Sequence, residues 1–305
     1  MRVAGWRSLG RVFEPDGRRE WMVSHASVPF GEPLENGHIR IWFSPRDRSN
    51  RSSIASLVID PRRPSQILDL SISPVLALGE PGTFDDSGTM MSWLLIDGDY
   101  RHLYYIGWNL RVTVPFHVSI GRATGHRDAP LDFVKQQGPI LDRSTTDAMF
   151  CSNPCVIRHA GRYHMWYLSG RSWAAGASGM SASYHIAYAH SADGVEWSRT
   201  GRAVLALEGD EFAMARPSVM RDGDVWRMWF SVRGREWPYR LGSATSHDGC
   251  SWMRDEASIL PQPGIHDWAS EMVAYPHVFA LNGQHHMLFC GNGFGRTGFG
   301  LAVFE

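Results

Sequence analysis

One segment of the sequence occurs twice: Pro154-Cys155-Val156 with Gly161 and His164-Met165-Trp166-Tyr167 returns as Pro217-Ser218-Val219 with Gly223 and Arg227-Met228-Trp229-Phe230. Each copy is followed by a second match, Tyr184-His185-Ile186-Ala187-Tyr188-Ala189 and Tyr239-Arg240-Leu241-Gly242-Ser243-Ala244. A repeat of roughly 50 to 65 residues is typical of propellers built from four-stranded blades. The innermost strands of a propeller converge on one axis, so a functional site is expected there.

The whole chain can be divided in this way. We predict an all-β fold, a five-bladed β-propeller of four-stranded antiparallel blades, forming a single domain over residues 1–305. The predicted blades lie at about 21–60, 82–125, 147–190, 211–245 and 269–305. Residues 60–81, which are rich in Pro and Ser, are predicted to be a long connection between the first two blades.

Turn signals support this division. Asp97-Gly98, Asp222-Gly223 and Asn282-Gly283 stand between apolar runs and predict tight hairpins. The segments Ser191-Ala192-Asp193-Gly194 and Ser246-His247-Asp248-Gly249, with Trp197 and Trp252, are similar to the Asp-box of sialidases but one residue shorter. Their Ser and Asp side chains can close a turn on backbone groups, which predicts a scaffold role rather than chemistry.

Composition narrows the possible partners. The net charge of −1 gives no electrostatic basis for binding nucleic acid or an anionic membrane. The 13 Trp and 31 Gly residues suit short aromatic-packed strands, and tryptophan also stacks on sugar rings. We therefore expect a small-molecule or oligosaccharide substrate, with the oligomeric state left open.

Location and cofactors are inferred from what the sequence lacks. Met1-Arg2-Val3-Ala4-Gly5-Trp6-Arg7 has no apolar core of a signal peptide, and no apolar run reaches a membrane-spanning length. The four cysteines have no metal-ligand spacing and are predicted to be reduced, as in a cytoplasmic protein. No metal is expected, because no constellation of ligands in the sequence demands one. No other cofactor is expected, and a nucleotide is disfavoured because Gly291 to Gly295 lies between strands rather than before a helix.

Four further segments carry a resemblance to a known group. They are Ser44-Pro45-Arg46-Asp47 with Asn50-Arg51-Ser52, Tyr104-Tyr105-Ile106-Gly107-Trp108-Asn109, Met228-Trp229-Phe230-Ser231-Val232-Arg233, and Gly291-Asn292-Gly293-Phe294-Gly295 with Thr297-Gly298-Phe299-Gly300. The sequence resembles the five-bladed propeller glycoside hydrolases: family 43, the invertase type and the mannoside phosphorylase type. Its strings are most similar to an uncharacterised branch associated with bacterial polysaccharide gene clusters.

The resemblance implies a funnel-shaped axial pocket with carboxylates from successive blades acting as general base and general acid. Asp86, Glu211 and Glu271 are the catalytic candidates, because each precedes a different inner strand. A solvated loop carboxylate is the alternative for each. The sequence departs from family 43 at Val28-Pro29 and Asn153-Pro154, where no acid stands beside the Pro.

Basic and aromatic residues are the candidates for binding substrate. Arginine forks at equivalent blade positions could clamp an anionic or highly hydroxylated ligand. Pairing with Asp47 or with an acid of a neighbouring blade is the alternative, and it is the more common arrangement for any single arginine. His25 begins the first inner strand and could be catalytic or simply a hydrogen-bonded core residue. The substrate-binding candidates are His25, Arg46, Asp47, Arg51, Trp108, Arg171, Arg216, Arg233 and Asn292.

Three functions remain open. The first is a glycosidase-like enzyme acting on a bacterial glycan or a sugar-containing intermediate through axial carboxylates. The second is a biosynthetic enzyme that carries out transfer, elimination or cyclisation in the same pocket. The third is a non-catalytic carbohydrate-binding propeller. A fold alone cannot choose among them, because function depends on the site.

Overall fold

The computed structural model describes residues 5–176, 179–255 and 260–305, and within them the protein is all-β, as predicted. Consecutive strands form antiparallel meanders of four strands, here called units one to five, and units three and four are joined into one eight-stranded sheet by a parallel pairing at Tyr184 and Ala213. Unit one contains β2 to β5: Ser24–Pro33, Ile39–Arg46, Ala55–Ile59 and Ile67–Leu70. Unit two contains β6 to β9: Gly88–Asp97, Tyr100–Leu110, Phe116–His126 and Val134–Lys135.

The other units follow the same plan. Unit three contains β10 to β13: Cys151–His159, Arg162–Gly176, Gly179–Ser191 and Ser198–Ala203. Unit four contains β14 to β17: Glu211–Asp222, Val225–Gly234, Arg240–Ser246 and Met253–Arg254. Unit five contains β18 to β20 and, at its outer edge, β1: Ala274–Leu281, Gln284–Cys290, Phe299–Phe304 and Trp6–Phe13. Short helical turns span Asp267–Ala269 and Asn292–Gly295.

The two ends of the described structure meet in one sheet. β1 pairs antiparallel with β20, so that Trp6 lies opposite Phe304. The first strands of the units also contact one another in a closed cycle, β2 to β6, β10, β14, β18 and back to β2. Closure of this kind leaves no free edge at the centre and brings the five inner strands around one axis.

Each inner strand is kinked where it approaches the axis. The pairing register shifts in all of them, as in β-bulges. In four of them the residue before a proline has a left-handed backbone: Val28 (φ 51°), Asn153 (φ 47°), Arg216 (φ 54°) and Tyr275 (φ 58°). Side chains in this conformation are uncommon and cluster at functional sites, because surrounding structure must hold the strained backbone in place.

Hairpin turns follow the sequence signals. Asp97 and Tyr100 close the β6–β7 hairpin, with Gly98 at φ 62°. Asn282 (φ 50°) and Gly283 (φ 76°) form the loop between β18 and β19, as expected for a type I′ turn. In the two Asp-box-like turns, the Asp193 and Asp248 carboxylates accept backbone N–H groups, those of Val195 and Cys250 among them. These aspartates therefore hold turns.

The predicted segment boundaries stop short of the outermost strands. β5 lies inside residues 60–81, where the sequence predicts a connection, and β9, β13 and β17 all begin after the predicted blade ends at 125, 190 and 245. β1 lies before the first predicted blade. These strands are short or mixed in polarity, because an outer strand is only partly covered.

No described helix is long and apolar enough to cross a membrane. Cys151, Cys155, Cys250 and Cys290 are free thiols, and all but Cys250 are buried. Residues 1–4 of the stretch that lacks the features of a signal peptide lie outside the described residues.

A buried ion pair joins units one and two. Arg101 donates to Glu32 from Nη1 (2.7 Å) and Nη2 (2.9 Å), and Trp42 Nε1 donates to the same carboxylate at 3.0 Å. The side chains of Arg101 and Glu32 are 4% and 8% exposed. Removing one partner of such a pair leaves a buried charge without compensation.

We predict that Glu32→Gln lowers the free energy of unfolding by about 3–5 kcal/mol. Urea denaturation followed by tryptophan fluorescence measures this change. The matched control is Glu14→Gln, since Glu14 pairs with Arg11 at the surface, where both side chains are over 40% exposed and the loss should be within about 1 kcal/mol. Equal losses in the two variants would contradict a special role for the buried pair.

Candidate functional site

A cavity of about 490 Å³ lies where the inner strands converge. Every unit contributes to it from its first strand, through Ser27, Val28, Met90, Ser152, Asn153, Ala215 and Tyr275. Three of these, Val28, Asn153 and Tyr275, are the left-handed residues before proline. The kinks in the inner strands thus supply part of the cavity's lining.

The walls are aromatic and cationic. Rings come from Trp108, Phe116, Phe150, Trp173, Tyr184, Tyr239 and Phe294 in addition to Tyr275. The charged lining residues are Arg46 and Arg233, and no described aspartate or glutamate lines the cavity. Only Trp108 and Trp173 of the 13 tryptophans do so, so most of the tryptophans pack elsewhere in the fold.

Arg46 is held at the end of β3. Its Nη1 donates to Asn50 Oδ1 at 2.8 Å, and its guanidinium carbon lies 6.0 Å from the centre of the Trp108 ring. Its buried Nε has no acceptor among the described residues. The loop that carries Asn50 is closed by Asp47, whose Oδ1 accepts the backbone N–H of Arg51 at 2.9 Å.

Arg233 is enclosed by aromatic rings. Its guanidinium carbon lies 4.7 Å from the ring centre of Phe212, 5.1 Å from that of Tyr239 and 5.5 Å from that of Tyr184. Burial lowers its pKa, but the hydroxyls of Tyr239, Tyr184 and Tyr275 more than offset this, so the pKa is raised overall. Its buried Nε also has no acceptor in the part of the protein that the structure describes. Arg233 is therefore a charged group with a free donor.

The tyrosines form a cluster beside Arg233. The hydroxyls of Tyr184 and Tyr239 are hydrogen-bonded to each other, and the Tyr239 ring centre lies 5.7 Å from that of Tyr275. Burial raises the pKa of all three phenols. They are therefore proton donors at neutral pH and not phenolates.

His25 lies near the cavity without lining it. Its Nδ1 is 2.9 Å from Ser24 Oγ. Burial, with the positive charges of Arg46 and Arg296, lowers the pKa of His25 to about 4. The imidazole is therefore neutral at pH 7.

The three predicted catalytic acids do not meet at the axis. Glu211 accepts from Arg254 Nη1 at 3.0 Å and from the backbone N–H of Glu208 at 2.9 Å. Asp86 caps its own loop, accepting the N–H of Gly82 and the Ser87 hydroxyl, each at 3.0 Å. Glu271 is exposed. Their catalytic role stays a prediction, and their positions do not support it.

A recurring ion pair explains the position of Glu211. Asp85 accepts from Lys135 Nζ at 2.7 Å in unit two, and Asp147 lies 3.1 Å from Arg199 Nη1 in unit three. In both units an acid that precedes the inner strand pairs with a base on the outermost strand. Glu211 and Arg254 repeat this arrangement in unit four, so Glu211 stabilises its own unit.

Three of the nine predicted binding residues line the cavity, and the other six do not. Arg46, Trp108 and Arg233 line the cavity. Asp47 and Arg51 shape the loop beside Arg46, joined by a 2.8 Å ion pair. His25, Arg171, Arg216 and Asn292 are not lining residues, and Arg171 is exposed. Asn292 holds a loop, since its Oδ1 accepts the backbone N–H groups of Glu271 (2.9 Å) and Met272 (3.2 Å).

Several lining residues are not among those predicted from the sequence. Asn50, Asn153, Tyr184, Tyr239 and Tyr275 are absent from the predicted set, although all line the cavity. A signal for two of them is present in the sequence, because Asn153 and Tyr275 each precede an inner-strand proline. The Val-Pro, Asn-Pro, Arg-Pro and Tyr-Pro pairs together mark the kink in four inner strands.

Comparison with solved structures identifies the fold class. BT0996, solved in a complex with RGII, aligns with a TM-score of 0.76 at 16% identity, covering 99% of this protein and 91% of that one. A member of the GH130 family, which contains mannoside phosphorylases and glycoside hydrolases that target β-1,2 mannosidic linkages in Candida mannan, aligns with a TM-score of 0.69 at 12% identity, covering 99% and 94%. The protein has the fold of the glycoside hydrolase propellers.

Comparison of amino-acid sequences finds relatives that are more similar to this protein than the solved structures are. The sequence is 43% identical over 305 residues to the uncharacterized protein MT1551 of Mycobacterium tuberculosis, covering 98% of this protein and 99% of that one. Rv1502, from another strain of the same species, gives the same figures. This protein belongs to the same family as those two mycobacterial proteins. No protein-family model matches it.

We predict that Arg46→Met raises the pKa of His25 above about 4, toward 6.5, because one of the positive charges that disfavour imidazolium is removed. An NMR titration of the histidine ring protons measures the shift. Arg171→Met is the control and should leave the value unchanged, since Arg171 does not contribute to the shift of His25. An unmoved His25 in Arg46→Met would mean that burial and Arg296 set its pKa without Arg46.

Proposed function

We propose that the five units are the blades of a single-domain propeller over residues 1–305, and that its axial cavity binds an acidic sugar of a saccharide. The acidic group is a carboxylate or a phosphate. The observation that carries this proposal is a cavity lined by Arg46 and Arg233 and by no described carboxylate. The closed cycle of inner strands supports the blade arrangement.

Electrostatics favour an anionic ligand. Each of the two arginines has a buried Nε without an acceptor among the described residues. A buried polar group without a partner costs free energy, and a guanidinium without a counter-charge costs more. A ligand carboxylate or phosphate would supply both acceptor and charge, through hydrogen bonds roughly twice as strong as neutral ones.

The remaining lining favours a sugar as the carrier of that charge. Aromatic rings pack against the apolar faces of sugars, while Asn153, Ser27 and Ser152 offer polar groups for hydroxyls. The volume of about 490 Å³ falls within the usual range of ligand pockets. The solved structures of the same fold include glycoside hydrolases, which supports a saccharide ligand.

Hydrolysis by a carboxylate pair is the function that the geometry supports least. That reaction needs one carboxyl group to protonate the leaving oxygen and a second on the other side of the bond. Asp86, Glu211 and Glu271 are engaged in loops or ion pairs or are exposed. The protein therefore binds its saccharide without this chemistry.

Elimination is the second candidate, because the cavity combines arginines with tyrosine hydroxyls. In such a reaction an arginine neutralises the sugar carboxylate, and the C5 proton passes to a tyrosine oxygen that has first released its own proton beside Arg233. The electron pair of the C5–H bond forms the C4–C5 double bond, and the C4–O bond breaks with its electron pair on the departing oxygen. The Tyr275 hydroxyl has no hydrogen-bond partner among the described residues and could protonate the departing oxygen. No water enters the products, which separates this reaction from hydrolysis.

A cytoplasmic location belongs to the same proposal. The four cysteines are free thiols, and the exposed Cys250 is among them. Free thiols are usual in reducing compartments. The saccharide would then be a biosynthetic intermediate or an imported fragment.

We predict that a glycan array carrying uronate-bearing, phosphate-bearing and neutral oligosaccharides retains the protein only on the acidic members. For a retained glycan, Arg233→Met and Arg46→Met should each weaken the affinity roughly tenfold to a hundredfold, because each removes a charge-assisted hydrogen bond. Isothermal titration calorimetry measures the change. Arg171→Met, at an exposed site outside the lining, should bind as the wild type does.

Equal retention on neutral glycans, or unchanged affinity in both cavity variants, would contradict the proposal. Mass spectrometry of the recovered glycan then decides about chemistry. An added water indicates hydrolysis, an unsaturated product without added water indicates elimination, and an intact glycan indicates binding alone. Hydrolysis that is lost in Glu271→Gln or Asp86→Asn would restore the axial-acid hypothesis.

A further inference from the structure

Arg216 lies beneath the floor of the cavity, outside the set of lining residues. It follows Ala215, which lines the cavity, and its own side chain is fully buried, with 0% exposed. The neighbouring inner strands contribute to the same layer. Val28 and Tyr275 line the cavity, while Pro29 and His277 are buried and do not line it.

The guanidinium of Arg216 has little to pair with. Its Nη2 donates weakly to the Pro29 carbonyl, at 3.4 Å. Its Nε and Nη1 have no acceptor among the described residues, and no described carboxylate forms an ion pair with it. It differs in this from Arg101, which is equally buried but held by both oxygens of Glu32.

The other polar groups of this layer cannot serve as a counter-ion. Burial raises the pKa of the Cys155 and Cys290 thiols to about 12, so both are neutral. Burial and the charge of Arg216 lower the pKa of His277 well below its ordinary value. Its Nδ1 accepts the N–H of Gly31 at 2.9 Å, so the neutral ring carries its proton on Nε2 as a further donor.

Burial also fails to discharge the arginine. The pKa of Arg216 is lowered to about 10, with burial as the largest cause, so the group stays protonated at neutral pH. Burying a charge without a partner carries a large desolvation free energy, which a nearby opposite charge compensates. The layer therefore holds a fixed positive charge and unused N–H donors.

We propose that Arg216 binds one compact anion on the axis, below the saccharide cavity. Two sources share this chemistry: a free halide, or the acidic group of a ligand that reaches down from the cavity. A metal cation is excluded by the charge of Arg216. With a free halide as the anion, this site does not depend on the proposed function; with the acidic group of a cavity ligand as the anion, it rests on that function.

The test uses bromide as the probe on the full-length protein. We expect crystals grown in sodium bromide to show an anomalous peak at hydrogen-bonding distance from Arg216 Nε or Nη1. We also expect the melting temperature to rise by several degrees from a halide-free gluconate buffer to the same buffer with saturating chloride or bromide, since an anion that binds only the folded state stabilises it.

Two variants locate the effect. Arg216→Met keeps the apolar stem and removes the charge, so it should fold and lose the halide dependence; replacing buried charges by apolar groups is often neutral or stabilising. The double variant Arg46→Met/Arg233→Met should keep that dependence, because it leaves the lower layer intact.

The contrary results are equally distinct. A halide effect that disappears in the double variant and persists in Arg216→Met would place the anion in the cavity and overturn the proposal. Crystals with no anomalous peak at Arg216 would do the same, unless a bound acidic saccharide places its anionic group there. That last outcome identifies the ligand as the source of the anion.

Discussion

The kink before proline in the inner strands is the constraint on which the centre of this molecule depends. In a regular strand, side chains alternate between the two faces of the sheet. A left-handed residue in a bulge breaks that alternation and lets one side chain turn toward the axis. Val28, Asn153, Arg216 and Tyr275 are all placed in this way. Each such backbone costs about 1–3 kcal/mol, which the hydrogen-bonded remainder of the strand offsets.

The same device makes the centre chemically adjustable. The proline fixes the backbone of the strand beyond the kink, while the residue before it can be apolar, amide, cationic or phenolic without a change of architecture. In this protein the four positions are Val, Asn, Arg and Tyr, so none is acidic. The kink positions therefore add no negative charge to the centre and contribute one positive charge, Arg216, while the cavity arginines Arg46 and Arg233 lie on the second strands β3 and β15.

Much of the fold could be predicted because it depends on local signals. Strand β3 and the hairpin at Asn282-Gly283 follow from apolar runs and from residues that accept positive φ. The outermost strands could not be predicted in the same way. β9 has two residues, Val134 and Lys135, and exists because β8 offers an edge. β1 pairs with β20 at the opposite end of the sequence, which no local pattern records.

The site was predictable only in part, for a related reason. Arg46 and Arg233 could be predicted because they stand at equivalent positions near the ends of the second strands of their units, although Asp47 beside Arg46 left an ion pair as the alternative. The sequence predicts Glu211 as an axial acid and does not reveal its partner, Arg254, which lies on the outermost strand of the same unit. Sequence spacing shows which residue types are available. Whether a carboxylate is free depends on cross-strand partners that only the three-dimensional pairing reveals.

The protonation states at the centre limit the chemistry that it can perform. The tyrosines hold their protons, His25 is neutral and the arginines are charged. Such a set can donate hydrogen bonds, stabilise negative charge and supply a proton. It lacks a strong base, since no described carboxylate lines the cavity and an imidazole with a pKa of about 4 accepts protons weakly. A reaction that needs a base must therefore draw it from a tyrosine whose proton the arginines help to release, because a carboxylate on the sugar carbon that loses the proton cannot reach that proton and is itself neutralised by an arginine.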